Sequence, residues 1–241
     1  VTGAPGAAQH AGHTGSAVVT GAGRGIGRAT ALALARRGMT VALWSRTRGE
    51  LEETARAIEA AGGSRPVVTT CDVSDAASVA HAASAVLDAL GPPAVVVNNA
   101  GLVRRARLEE TTEADWDAVL GVNLTGTFLV TRALLPSMLA VGRGRVVNVA
   151  SISSTVGTAR QTAYNAAKWG VLGLTKSLAE ELRGTGLSAL AVLPGAVDTA
   201  MLVGSGFAPQ MTAETVAATL VYASLDAPDA MNGSAIEMFG P

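Results

Sequence analysis

The sequence predicts a doubly wound α/β fold, with a parallel sheet of about seven strands and helices on both faces. Two observations carry this expectation. From residue 16 onward, short β-branched runs alternate with Ala/Leu-rich helical segments, the order that builds parallel sheets through right-handed crossovers. The chain is also unusually apolar: with glycine added to its 49% hydrophobic content, the total reaches roughly 60%, above the ~45–50% usual for globular chains. A sheet covered on both faces needs that much apolar surface, and so does an extensive subunit interface.

The elements follow in order. Ser16–Thr20 is a short β-prone run. It leads into the glycine turn Gly21-Ala22-Gly23-Arg24-Gly25-Ile26-Gly27, and then into a helix through Arg37 that stops at Gly38. Thr40–Ser45 reads as a second strand, 48–61 as a helix ended by Gly62 and Gly63, and 66–71 as a third strand closed by Asp72 and Val73. A helix over 75–90 and a buried apolar strand over 94–98 complete the first half. A long helical pattern then runs from Thr112 to about Ala140, with Pro136 expected to break or kink it. Strands over 144–150, 187–193 and 234–238 alternate with helices over 161–182 and 213–224.

Composition narrows the function. The net charge is −1, with no basic block, so nothing points to nucleic acid or an anionic membrane. No apolar run reaches the ~18 residues of a membrane span. The single Cys71 excludes an internal disulfide and suits a reducing cytoplasm. Residues 1–15 are small and polar, without a basic start or an apolar stretch, and read as a flexible tail rather than a secretion signal. His10, His13 and His81 are the three histidines. They leave little material for a histidine triad or a metal site, and none is expected.

Chemistry concentrates between Ser151 and Lys168. Tyr164 and Lys168 are four residues apart, so on a helix they share one face. The chain holds two tyrosines and two lysines among eighteen basic residues, so a chance Tyr-x-x-x-Lys has a probability of roughly 0.02. A phenol ordinarily ionises near pH ~10, and a neighbouring ammonium favours its anion. Ser151, delivered by the strand before it, offers a hydroxyl to an oxygen on which charge develops. Strand, glycine turn and helix at Gly21–Gly27 form the context in which backbone N–H groups approach a pyrophosphate.

The Thr-Gly-x-x-x-Gly-x-Gly turn with Ser151 and Tyr164-x-x-x-Lys168 resembles the short-chain dehydrogenase/reductase family, over about residues 16–239. The resemblance implies a Rossmann-type domain over 16–241 that binds NAD(P) and carries the catalytic site. It implies a catalytic set of Asn123, Ser151, Tyr164 and Lys168. In relatives the asparagine holds a water that links the lysine to solvent, and Lys168 would also bind the nicotinamide ribose. It places Asp72-Val73 beside the adenine and Asn99-Ala100-Gly101, in an Asn-Asn-Ala-Gly segment, along the cofactor. Pro194 and Gly195 form the family's turn, whose Val197 backbone and Thr199 hydroxyl would hold the carboxamide. NAD-preferring relatives end the second strand in an acid. Here Ser45-Arg46-Thr47 stands in its place, and Arg46 with Arg24 could pair with a 2′-phosphate, which favours NADP(H) over NAD(H).

The expected activity is hydride transfer between nicotinamide and a ketone or secondary alcohol, similar to 3-oxoacyl-carrier-protein reductases. The alternatives are an NAD(H)-dependent alcohol, sugar or steroid dehydrogenase, and a dinucleotide sensor without turnover. Met201, Leu202, Val203, Phe207 and Met211, with Gly204 and Gly206, suit either a mobile cover over an apolar ketone pocket or ordinary core. Arg104, Arg105 and Arg107 read as a solvated loop, or as a greeting for an acyl-carrier protein or other anionic substrate. Trp169 reads as a packing residue. The resemblance further implies a homotetramer, or a homodimer, pairing the Thr112 and Gln161 helices across a two-fold axis.

Overall fold

The computed structural model describes residues 15–240. The expected tail, with His10 and His13, lies outside the described residues except for Gly15. Gly15 already joins the sheet, its carbonyl accepting the Thr40 N–H at 3.0 Å.

Seven strands form one parallel sheet: β1 (Ser16–Thr20), β2 (Thr40–Ser45), β3 (Val67–Thr70), β4 (Val95–Asn98), β5 (Gly144–Val149), β6 (Leu187–Pro194) and β7 (Ala235–Met238). Their spatial order is β3-β2-β1-β4-β5-β6-β7, and every adjacent pair is parallel. The alternation of strand side chains sets the two faces. Ala17, Val19, Leu43, Val97 and Val192 point to one core, with Leu34 and Leu220. Val18, Trp44, Val96 and Val146 point to the other, with Leu134 and Leu178.

On the first face α1 (Gly25–Arg36) packs against α7 (Ala213–Val221) and α2 (Arg48–Ala60). On the second lie α3 (Ala76–Leu90), α5 (Gly126–Val141) and α6 (Thr162–Glu181), with α4 (Glu113–Leu120) against α6. Short polar side chains start three of these helices, where first-turn N–H groups lack helical partners. Asp75 accepts from Ala77 N, Thr112 from Asp115 N, and Thr212 from Thr215 N.

Three expectations are corrected. The helical pattern over 112–140 is interrupted not at Pro136, which sits inside α5, but at a π-helical turn, Gly121–Thr125. There α5 packs closely on the segment after β3: a Cβ at Gly126 would come within 2.8 Å of Val73 Cγ2. The stretch Glu113–Val141 is also, by length and composition, apolar enough to cross a membrane; its residues Val119, Val130, Leu134 and Met138 are buried in this fold. Finally, β3 begins at Val67 rather than Pro66, since proline brings no N–H to a ladder.

β1 and β4 are neighbours, although β2 and β3 intervene in sequence. The chain therefore reverses direction across the sheet at this point, and a crevice opens beyond the carboxyl ends of these strands.

Candidate active site

The crevice is a cleft of about 1070 Å³ that runs from the glycine turn, past the ends of β4 and β5, to the segment after β6. Its floor is built by backbone economy. Gly21 has φ +65°, a left-handed conformation that favours glycine. Gly27 carries α1 directly over the Gly21 carbonyl, where a Cβ would overlap that oxygen. Arg24, at the start of α1, is extended and gives the helix no side-chain cap, and no acid occupies the first turn. The leading N–H groups of α1 are thus left for an anion. Asn99 ties this floor to the end of β4, donating from Nδ2 to Thr20 O at 2.9 Å, while Thr20 Oγ1 accepts from the N–H groups of Asn99 and Ala100, each at 2.9 Å.

Gly21, Arg24, Gly25, Ile26, Ser45, Arg46, Thr47, Asp72, Val73, Asn99, Ala100, Gly101, Pro194, Gly195, Val197 and Thr199 all line the cleft, as do Ser151, Tyr164 and Lys168. Gly27 lies just beneath the wall. Asp72 is spent on its own turn: its carboxylate accepts from Ser74 N at 3.0 Å and Ser74 Oγ at 2.6 Å. The Ser74 hydroxyl, above all, holds it below the usual carboxylate range, with help from Arg46. Glu50, in the first turn of α2, was not foreseen. It enters the cleft wall and reaches Arg24 Nη1 at 3.5 Å. Phe239, just past β7, also lines the cleft rather than standing apart from it.

At the other end, β5 delivers Ser151, whose Oγ accepts from Ser153 N at 3.1 Å. The first turns of α6 bring in Tyr164 and Lys168, both buried. Lys168 Nζ lies 5.6 Å from the Tyr164 ring centroid and donates to Val149 O at 2.8 Å. A buried ladder holds this arrangement in register. Asn98 donates to Thr131 on α5 and to Asn148 on β5, and Asn148 donates to Thr175 on α6, each at 2.9 Å. Every link is a side-chain hydrogen bond inside the core, where a lost partner is costly.

The electrostatics differ from the expectation. Burial pushes the Tyr164 phenol up, and the opposing influences are the Ser151 hydroxyl and the Arg105 guanidinium, not Lys168. Burial acts on the lysine too and brings its pKa down to about 8. Asn123 lies in the π turn, behind the wall rather than on it. Its Nδ2 donates to Leu102 O at 2.7 Å and Val119 O at 2.8 Å, so its amide holds the segment after Gly101.

The lowered lysine has a measurable consequence. The unfolded chain keeps a proton up to about pH 10.4 that the folded chain releases near 8. The cost of burying the charge is therefore fully present below about pH 8 and disappears as the pH rises towards that of the free side chain. Lys168→Met should be the more stable protein near neutrality, by up to about 3 kcal/mol, with the gap closing as the pH rises. Urea unfolding of both proteins across this range measures the slope; a gap that does not change with pH contradicts it.

The apolar segment after β6 divides. Met211 is buried in the core and forms a bridge with Val197. Met201, Leu202 and Phe207 lie along the cleft. Trp169 is half exposed on α6 rather than packed inside. Of the three arginines, Arg104 pairs with Asp115 and Arg107 with Glu109 on the surface. Arg105 turns into the cleft.

An uncapped helix over a glycine turn at the sheet's switch point, in a cleft of this size, fits a dinucleotide. These features define a Rossmann-type dinucleotide-binding protein. Comparison with known proteins agrees. The short chain dehydrogenase family model matches residues 16–206. A 3-oxoacyl-[acyl-carrier-protein] reductase of Synechocystis sp. is 40% identical over 185 residues, covering 77% of this chain and 75% of the relative. A (3R)-3-hydroxyacyl-CoA dehydrogenase of Homo sapiens is 41% identical over 197 residues, 77% of this chain and 74% of the relative. A D-threitol dehydrogenase of Mycolicibacterium smegmatis is 36% identical over 239 residues, 93% of this chain and 91% of the relative. The chain belongs to the short-chain dehydrogenase/reductase family, oxidoreductases that use NAD(P)(H).

Proposed function

We propose that this protein is an NADP(H)-preferring reductase of ketones, run in reverse as a secondary-alcohol dehydrogenase, with Tyr164 as the proton donor. The observation that carries the reading is the buried phenol of Tyr164, flanked by Ser151 and Lys168, in the same cleft as the glycine turn. Bound nicotinamide supplies or accepts the hydride. The chain's own residues do the rest. The Ser151 hydroxyl donates a hydrogen bond to the substrate oxygen and holds it at the phenol. The Tyr164 hydroxyl gives that oxygen its proton in reduction and recovers it in oxidation. Lys168 would hold the nicotinamide ribose from the same face of α6. Asn123 supports the wall beside Gly101, and Val197 and Thr199 would fix the carboxamide.

The α1 N-terminus would take the pyrophosphate, with Gly21, Gly25 and Gly27 permitting close approach. Arg24 and Arg46 would take the 2′-phosphate, and Ser45 and Thr47 its surroundings. Arg46→Asp should lower the NADPH-to-NADH ratio of kcat/KM by about tenfold or more, the scale of a charge-assisted hydrogen bond. Initial rates with the two cofactors check this; an unchanged ratio removes Arg46 from the assignment.

Glu50 favours a second reading. Its carboxylate, bonded to Arg24, is an acceptor suited to a ribose hydroxyl and unfriendly to a phosphate. An NAD(H)-dependent dehydrogenase of polyols would use it so, in keeping with the likeness to D-threitol dehydrogenase. The same rates, with ketones and polyols as substrates, separate the two. The exposed Phe128 on α5 and Trp169 on α6 support a homotetramer paired through these helices.

A further inference from the structure

Arg105 stands out among the cleft residues because the proposed reduction of a plain ketone gives its charge no task. It follows the Asn-Asn-Ala-Gly segment and crosses to the far wall, where Nη2 donates to Met201 O at 2.8 Å and Nη1 to Val203 O at 3.3 Å. Two features go beyond a latch on that segment. Its Nε–H is buried and has no acceptor among the described residues. No carboxylate among them pairs with it either, whereas its neighbours Arg104 and Arg107 both have one. Carbonyls satisfy N–H groups without neutralising a cation, and a neutral donor would latch the segment equally well. A guanidinium kept unneutralised in the cleft that holds the Tyr164 phenol is a site prepared for a negative charge.

The structure assigns Arg105 the recognition of a carboxylate on the substrate, next to the carbonyl that is reduced, so that an oxo acid is the preferred class over a neutral ketone. This rests on the reductase reading above and specifies its substrate. The charge's place decides between anionic sources. Arg105 lines the same cleft as Ser151 and Tyr164, so a partner for its charge sits in the space that holds the reacting oxygen, in keeping with its electrostatic influence on the phenol. In a carrier thioester the nearest phosphate is a whole pantetheine arm away from that oxygen. Met201 and Leu202, beside the latch, leave an apolar surface for the remainder of the substrate.

The test uses a 2-oxo acid and a 3-oxo acid, each against its methyl ester, with saturating NADPH and the full chain. For at least one pair, the wild type should favour the acid in kcat/KM by about tenfold or more. Arg105→Gln should bring that ratio to about one through the KM of the acid, whatever happens to absolute rates, and Arg105→Lys should keep part of it. The proposal is overturned if the wild type favours neither acid, or if Arg105→Gln weakens acid and ester by the same factor, the mark of a latch alone. A readout without a variant is calorimetry of the NADPH complex with a non-reducible carboxylate and its amide: the carboxylate should bind about tenfold more tightly, and equal binding refutes the assignment. Reduction of the esters reports on the reductase reading separately, so either idea can fail without the other.

Discussion

Tyr164→Phe should lower ketone reduction by about a thousandfold while the protein remains folded and binds its cofactor, since a positioned general acid contributes about a hundred- to ten-thousandfold. The substitution deletes one oxygen and keeps the ring. The ring packs with Val119, Ala163 and Ala167 under Trp116 and Leu124, so the apolar contacts survive. What disappears is the hydroxyl group beside Ser151. Because Lys168 Nζ bonds to Val149 O rather than to the phenol, its position does not depend on the missing oxygen. Steady-state kinetics and cofactor-fluorescence titration of the variant separate the two properties. A fall in kcat with unchanged cofactor affinity is expected, and retention of full turnover would dismiss the phenol as proton donor.

Gly27→Ala should have the next largest effect, on the cradle rather than on the chemistry. The added methyl would overlap the Gly21 carbonyl oxygen, and would lie 2.5 Å from Asn99 Nδ2 and 2.7 Å from the Gly21 carbonyl carbon. Two of these three neighbours are backbone, so relief requires α1 to rise from the turn. Forced overpacking of this kind costs about 1–3 kcal/mol or more. It would also displace the N–H groups that the pyrophosphate needs. We expect a loss of about 3 kcal/mol in unfolding free energy, with cofactor affinity down by at least about tenfold. Gly49→Ala is the matched control: its Cβ would meet nothing within 4 Å, and it should be neutral or slightly stabilising in α2. Chemical denaturation and cofactor titration of the pair decide the matter. Equal behaviour of the two variants would show that close packing of α1 on the turn is not required.

Much of this site was readable from the chain because its signals are local. One helical turn relates Tyr164 to Lys168, one strand ends in Ser151, and one turn holds Gly21, Gly25 and Gly27. The parallel sheet followed from the alternation of elements, and its order places all these segments at one edge. What escaped depends on distant neighbours or on burial. Arg104, Arg105 and Arg107 look alike in sequence. Their fates separate only because Asp115 and Glu109 reach the outer two, while the middle one meets carbonyls of Met201 and Val203. Glu50 reads as an ordinary first-turn acid until the turn after β2 sets it against Arg24. The lysine's effect on the phenol was inferred from spacing, yet spacing carries no information about desolvation, which shifts both groups against ionisation. The π turn at Gly121–Thr125 was hidden because one widened turn barely disturbs an apolar pattern, whereas Pro136 stands out and is accommodated.

The central claim is that a single proton, carried on Tyr164, moves to and from the substrate oxygen. The pH dependence of kcat/KM in both directions, for wild type and Ser151→Ala, addresses it most directly. Reduction needs the protonated phenol and should fall as the pH rises through its pKa; alcohol oxidation needs the anion and should rise through the same value. Because the Ser151 hydroxyl lowers that pKa, Ser151→Ala should move both limbs upward together, on top of its loss in rate. Limbs that do not mirror one another, or that stay in place when Ser151 is removed, would contradict the account.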